Sequence, residues 1–153
     1  MNNIDEFDRN ILQIVQHNNR TTSDQIAEQV GLSPAAVQRR LKRLREHKTI
    51  TADVSIVDKR KVGLDVTLIV QVSLNNERID LLDDFKRKML DHPNVQQCFY
   101  VTGSADFVLI VNAKNMEHYN ELTRSLFFGN TNVKGFETNV VMDQVKNGLQ
   151  VPI

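Results

Sequence analysis

Six Lys/Arg side chains fall between Arg39 and Lys48 against one acid, Glu46, although the chain's formal net charge is zero. Guanidinium and ammonium groups at this density can hydrogen-bond phosphate oxygens or the acceptor edge of guanine. A second stretch with chemical potential is Gly103-Ser104-Ala105-Asp106. Gly103 can present backbone N–H groups to a carboxylate, and Asp106 can accept from an ammonium, the two ends that any amino acid offers. The same four residues also read as a plain β-turn in which Gly supplies backbone freedom and Asp caps. Elsewhere the residue types are sparse. His17, His47, His92 and His118 are scattered with no ligand spacing, and no phosphate loop, dinucleotide fingerprint or nucleophile elbow is present. Cys98 sits mid-strand, where a buried inert thiol is expected. No catalytic group, metal or cofactor is expected.

The basic cluster gains direction from the helix that carries it. Ser33 is a suitable N-cap, Pro34 suits the first turn, and Val37, Leu41 and Leu44 recur at i, i+4 and i+7 as one buried stripe. At about 100° per residue, Ala35, Ala36, Arg39, Lys42 and Arg43 fall on the far side, with Gln38, Arg40 and Arg45 on the flanks. Alanines permit close approach to a surface, and the cations reach past them. Two helices precede it. Asp5 caps a run with Phe7, Ile11, Leu12, Ile14 and Val15 inward that ends near His17. Thr22-Ser23-Asp24-Gln25 is a capping box that opens a second helix, and Gly31 stops it. Two short helices joined by a tight Gly-containing turn, the second one cationic, form a helix-turn-helix whose second helix enters the major groove of double-stranded DNA. Thr49 to Val57 is expected to be extended, as a wing or linking strand.

From Val62 onward the periodicity changes. Val66–Leu74, Val95–Thr102, Phe107–Ala113 and Phe136–Val145 read as strands. Helices are expected at 77–90, with Leu81, Leu82, Phe85 and Met89 inward, and around Met116, Tyr119, Leu122 and Leu126. The order β-α-β-β-α-β is the ferredoxin-like split βαβ, so the whole is α+β: an N-terminal winged helix-turn-helix followed by a ferredoxin-like domain. The boundaries are 1–50, a linking strand 51–61, and 62–153. Two helices cover one sheet face only, yet Ile69 points opposite to Leu68, Val70 and Val72, and Val140 adjoins Val141. A second copy of the chain is the economical cover.

Composition agrees with this division. Residues 1–60 carry ten Lys/Arg against eight Asp/Glu, and 61–153 carry nine against eleven, which puts any DNA function in the first part. The lone cysteine fits a reducing compartment. The longest apolar run, Phe107 to Val111, cannot span a bilayer, and the start at Met1 reads as no signal peptide. A cytoplasmic protein with no membrane partner is expected.

The chain resembles the Lrp/AsnC family of transcriptional regulators over essentially its whole length. The likeness rests on Ile4-Asp5 with Asp8-Arg9-Asn10-Ile11-Leu12, and on Val30-Gly31-Leu32-Ser33-Pro34 with Arg40, Arg43 and Leu44. It extends to Val101-Thr102-Gly103 with Asp106, and to Val140 through Lys146. The resemblance implies DNA binding by the N-terminal domain, homodimerisation through the C-terminal one, further assembly to octamers, and control by an amino acid held between subunits. It also implies that Tyr100, Met116, Asn139, Val140 and Val141 line or support that site together with Gly103, Ser104, Ala105 and Asp106. One departure stands out: members usually carry Gly, an acid, an aromatic and Asp in this loop, whereas Ser104 and Ala105 occupy the middle here. An effector-modulated regulator is therefore the first expectation, and an effector-independent protein that wraps DNA is the alternative. The residues expected at DNA are Thr22, Ser33, Pro34, Ala35, Ala36, Gln38, Arg39, Arg40, Lys42 and Arg43, with Arg40 and Arg43 clamping phosphate.

Overall fold

A computed structural model describes residues 4–153. Met1, Asn2 and Asn3, which opened the stretch read as carrying no signal peptide, lie outside them. The chain divides into two compact units, Met1–Ile56 with Lys146–Ile153, and Val57–Val145. Each has its own apolar core.

The first unit is helical: α1 Glu6–His17, α2 Ser23–Val30 and α3 Pro34–Glu46. Their ends follow local chemistry. The Asp5 side chain accepts from the Asp8 backbone N–H in a capping box, and the Thr22 hydroxyl does the same for Gln25. Ser33 accepts from Ala36 N–H at 3.2 Å. Gly31 ends α2 at φ 71, the left-handed region where a side chain would be strained, and its N–H returns to Ala27 O at 2.9 Å. Ile11, Leu12, Ile26, Ala27, Val37, Leu41 and Leu44 fill the core. Each fully buried aliphatic side chain among them contributes roughly 1.5–3 kcal/mol. Phe7 departs from expectation: it is exposed and lies beneath the Arg40 guanidinium, 5.4 Å from the ring centre.

The expected wing or linking strand is absent: among the described residues no strand forms between Ile50 and Lys59, and Val54, Ile56 and Val57 are exposed. Alternation gives a segment one apolar face, but a strand also needs a partner, and none of the described strands pairs with these residues. The C-terminal end also departs from the expected boundary. Residues 146–153 group with the helical unit because α1 holds them. Gln16 donates to Val151 O and accepts from Val151 N–H, both at 3.0 Å, Gln13 donates to Ile153 O at 2.8 Å, and Ile153 packs on the helical core.

In the second unit a 3-10 turn, Lys59–Val62, leads into β1 Val66–Leu74, α4 Ile79–Asp91, β2 Val95–Tyr100, β3 Phe107–Ala113, α5 Met116–Thr123 and β4 Val133–Val140. The sheet order is β2-β3-β1-β4, all antiparallel, the expected split βαβ. Leu68, Val70 and Val72 share a core with Phe85, Met89, Phe107, Leu109, Tyr119, Leu122 and Phe127. The opposite parity presents Ile69, Val108, Ile110 and Phe99, with no helix among the described residues over them. β4 starts three residues before its expected position and ends at Val140, because its ladder follows β1 from Leu74↔Val133 to Leu68↔Val140. Cys98 is exposed, contrary to expectation, because β2 is an edge strand; partial burial still raises its pKa.

Candidate functional site

The tight turn Gly31-Leu32-Ser33 brings α3 in directly after α2, with the caps at Thr22 and Ser33 fixing both helix starts. Val37, Leu41 and Leu44 bury one side of α3, so Ala35, Gln38, Arg39 and Lys42 are exposed on the other, with Ala36 half-buried between. The first helical N–H groups of α3, which lack intrahelical partners, lie at the same end as the alanines. Of those groups Pro34 has no N–H and the Ala36 N–H is taken by Ser33, so a groove or phosphate surface could meet two small side chains and then cations.

The arginines of α3 are not equivalent. Arg40 donates to Asp5 at 2.7 Å and to Asp8 at 2.8 Å, Arg43 also donates to Asp8, and Arg45 donates to Asp53 at 2.8 Å. Arg39 alone has no ion-pair partner among the described residues. Asp8 is 0% exposed. Asp5 is held below the usual carboxylate value, first by the Asp8 N–H it accepts and then by Arg40. Arg40 is raised in turn by its hydrogen bonds to Asp5 and Asp8. Arg40 and Arg43, expected to clamp phosphate, thus have protein partners. Helical phase put them on a cationic face but could not show that α1 meets that flank with two acids. The signal was present in Asp5 and Asp8, one helical turn apart at the start of α1.

In the second unit the loop between β2 and β3 is a built turn. Val101 N–H donates to Asp106 O and Asp106 N–H to Val72 O, each at 2.9 Å, and the Asp106 carboxylate accepts Leu74 N–H at 2.6 Å. Gly103 sits at φ 127, a conformation that strains any side-chain-bearing residue. A carboxylate has about four lone-pair sites, so Asp106 retains room for an ammonium. Tyr100, half exposed, lies at this end with its ring 5.1 Å from that of Phe107 and the Lys86 ammonium 5.4 Å from its centre. Between α4 and β2 an open groove of about 550 Å³ runs past Lys86, Met89, Leu90, Cys98 and Tyr100.

The remaining expected effector residues lie elsewhere. Val140 pairs with Leu68, Val141 N–H donates to Thr67 O at 2.9 Å, and Met116 follows the end of β3 at Ala113, which pairs with Val66. Asp106 meets β1 at Leu74. Leu68 and Leu74 are six residues apart, about 20 Å along a strand. One chain therefore carries two half-sets, Tyr100 with Gly103–Asp106 at one end of the sheet and Met116 with Asn139–Val141 at the other.

Comparison with known proteins follows the same division. Residues 4–45 match the AsnC-type helix-turn-helix domain, and residues 67–151 match the Lrp/AsnC ligand binding domain. The chain is 54% identical to an HTH-type transcriptional regulator of Sinorhizobium fredii, over 98% of this chain and 89% of that one. It is 32% identical to the transcriptional regulator AzlB of Bacillus subtilis, over 98% and 96% respectively. Among solved structures, the L-methionine complex of a transcriptional regulator from Neisseria meningitidis is similar with a TM-score of 0.92 at 26% identity, covering 98% of this chain and 97% of that one. The family matches cover both units, and the chain belongs to the Lrp/AsnC family of HTH-type transcriptional regulators.

Proposed function

We propose that this protein works in the cytoplasm, not as an enzyme, as a homodimeric regulator that binds double-stranded DNA through α3 and responds to an amino acid or related small metabolite. The exposed face of α3 supports the DNA reading: Ala35, Ala36 and Gln38 are nearest the bases, Arg39 makes the arginine contact, Lys42 meets phosphate, and Thr22, Ser33 and Pro34 meet the backbone at the helix starts. A two-fold dimer sets its recognition helices about 34 Å apart, or a multiple of that, and selects a pseudo-palindrome. Assembly of dimers to octamers would lengthen the contacted DNA.

The observation that carries the effector reading is the 20 Å separation of the two half-sets. A pocket that uses both needs Gly103–Asp106 of one copy and Met116 with Asn139–Val141 of another, so ligand and assembly state are coupled. The Neisseria relative solved with L-methionine supports an amino acid as the ligand class. Footprinting with and without each of the twenty amino acids, beside thermal shift, tests it: a ligand at one hundred times its dissociation constant stabilises by about 2.7 kcal/mol. Effector-independent wrapping is the second reading, favoured by the Asp106–Leu74 hydrogen bond. Unchanged footprints and melting temperatures with every amino acid would select it.

A further inference from the structure

Asp8 is a buried charge with two cationic partners on another helix. Its Oδ1 accepts Arg40 Nη1 at 2.8 Å and its Oδ2 accepts Arg43 Nη2, so one carboxylate of α1 binds two successive turns of α3. The same Arg40 Nη1 reaches both oxygens of Asp5, and the guanidinium sits over Phe7. The acids are themselves fixed, because Asp5 and Asp8 close the capping box of α1. Two carboxylates face two guanidiniums, and the cluster is electrically neutral.

We propose that Asp8 is the positioning residue of the recognition helix: through Arg40 and Arg43 it sets the rotation of α3 on α1, leaving Arg39 as the arginine that reads bases. This deepens the reading above and rests on α3 being the DNA-contacting helix. The stripe of Val37, Leu41 and Leu44 is apolar and therefore non-directional, so it permits α3 to roll or slide. Charge-assisted hydrogen bonds from two turns to one carboxylate are directional and remove that freedom. Releasing either arginine to a phosphate would leave charge on a wholly buried carboxylate under-compensated, which is strongly unfavourable. Arg40 and Arg43 thus act on sequence selection from the α1 side, without displacing DNA counterions.

The test uses the full-length protein and two duplexes, a footprinted operator and its scrambled counterpart, titrated over a series of salt concentrations. Wild type, Arg39→Ala, Arg43→Gln, Asp8→Asn and the Asp8→Asn/Arg43→Gln pair are compared, each with a thermal melt. Arg43→Gln and Asp8→Asn should each lower the operator-to-scrambled affinity ratio by at least about fivefold, the scale of one lost base-pair preference. The slope of log affinity against log salt should stay at the wild-type value, and the pair should lose no more than either single variant. A slope lowered by about 0.9 in Arg43→Gln on both duplexes makes Arg43 a phosphate clamp and overturns the proposal. So does full operator discrimination by a folded Asp8→Asn. If Asp8→Asn loses its cooperative melt, Arg43→Gln decides by the same two criteria, since its side chain is 46% exposed and its loss leaves Arg40 on Asp8. Wild type that binds neither duplex removes the DNA reading itself, whereas Arg39→Ala losing discrimination beside a wild type that binds upholds that reading independently.

Discussion

Asp106 accepts the backbone N–H of Leu74 at 2.6 Å, so the carboxylate expected to meet a ligand's ammonium also closes the end of β1. The two roles separate by substitution. Asp106→Ala leaves the Leu74 N–H without its acceptor and should destabilise the sheet unit by about 1–3 kcal/mol. Asp106→Asn keeps an oxygen acceptor but loses the charge. It should melt near wild type and fail to respond to any amino acid that shifts wild type. A wild-type response retained in Asp106→Asn would make the residue purely structural.

Arg39 and Lys42 should divide base reading from phosphate contact. Arg39→Ala is expected to cost roughly 1–3 kcal/mol on the operator and to relax preference at one position. Lys42→Ala should weaken all duplexes similarly and lower the salt slope by about one. Anisotropy titrations at several salt concentrations with a set of single-substitution operators measure both.

Ile69 is 36% exposed and lies with Val108, Ile110 and Phe99 on the sheet face that no helix of the described residues covers. Placing a charge there should cost the monomer little, because the site faces water in a single chain, but it should break a self-complementary interface. Ile69→Glu is expected to sediment as a folded monomer with much weakened operator affinity. An unchanged oligomer would assign dimerisation to another surface.

Asp5 gives the helical unit an acid sensitivity. Its folded pKa lies below the ordinary 3.8, so its pairing with the Asp8 N–H and Arg40 stabilises fully above that value and is lost as pH falls through the folded one. Asp8 and Arg43 complete the charged surroundings. The melting temperature of the wild type should fall on acidification below about pH 4, and Asp5→Asn should show a shallower decline from a lower starting point. Parallel declines would exclude Asp5 as a source.

The residues themselves determined what depends on near neighbours. Caps at Asp5, Thr22 and Ser33 and the stop at Gly31 act within one helical turn, and β1 and β3 are short apolar-rich runs, β1 with near-period-two alternation, so their bounds were legible. The tertiary structure decided whatever depends on a partner far along the chain. Arg40 and Arg43 meet Asp8 across 32 and 35 positions, and no helical phase names the element that faces a flank. The ends of β4 were set by its ladder with β1, which runs from Leu74↔Val133 to Leu68↔Val140, the absence of a strand at 51–58 by the lack of any described strand paired with it, and the exposure of Cys98 by the edge position of β2. Docking of Gln150–Ile153 on α1 required two glutamines to meet a tail more than 130 positions away. Local hydrogen bonds and periodicity are written in adjacent residues; pairing, burial and ion partners are properties of the packed chain.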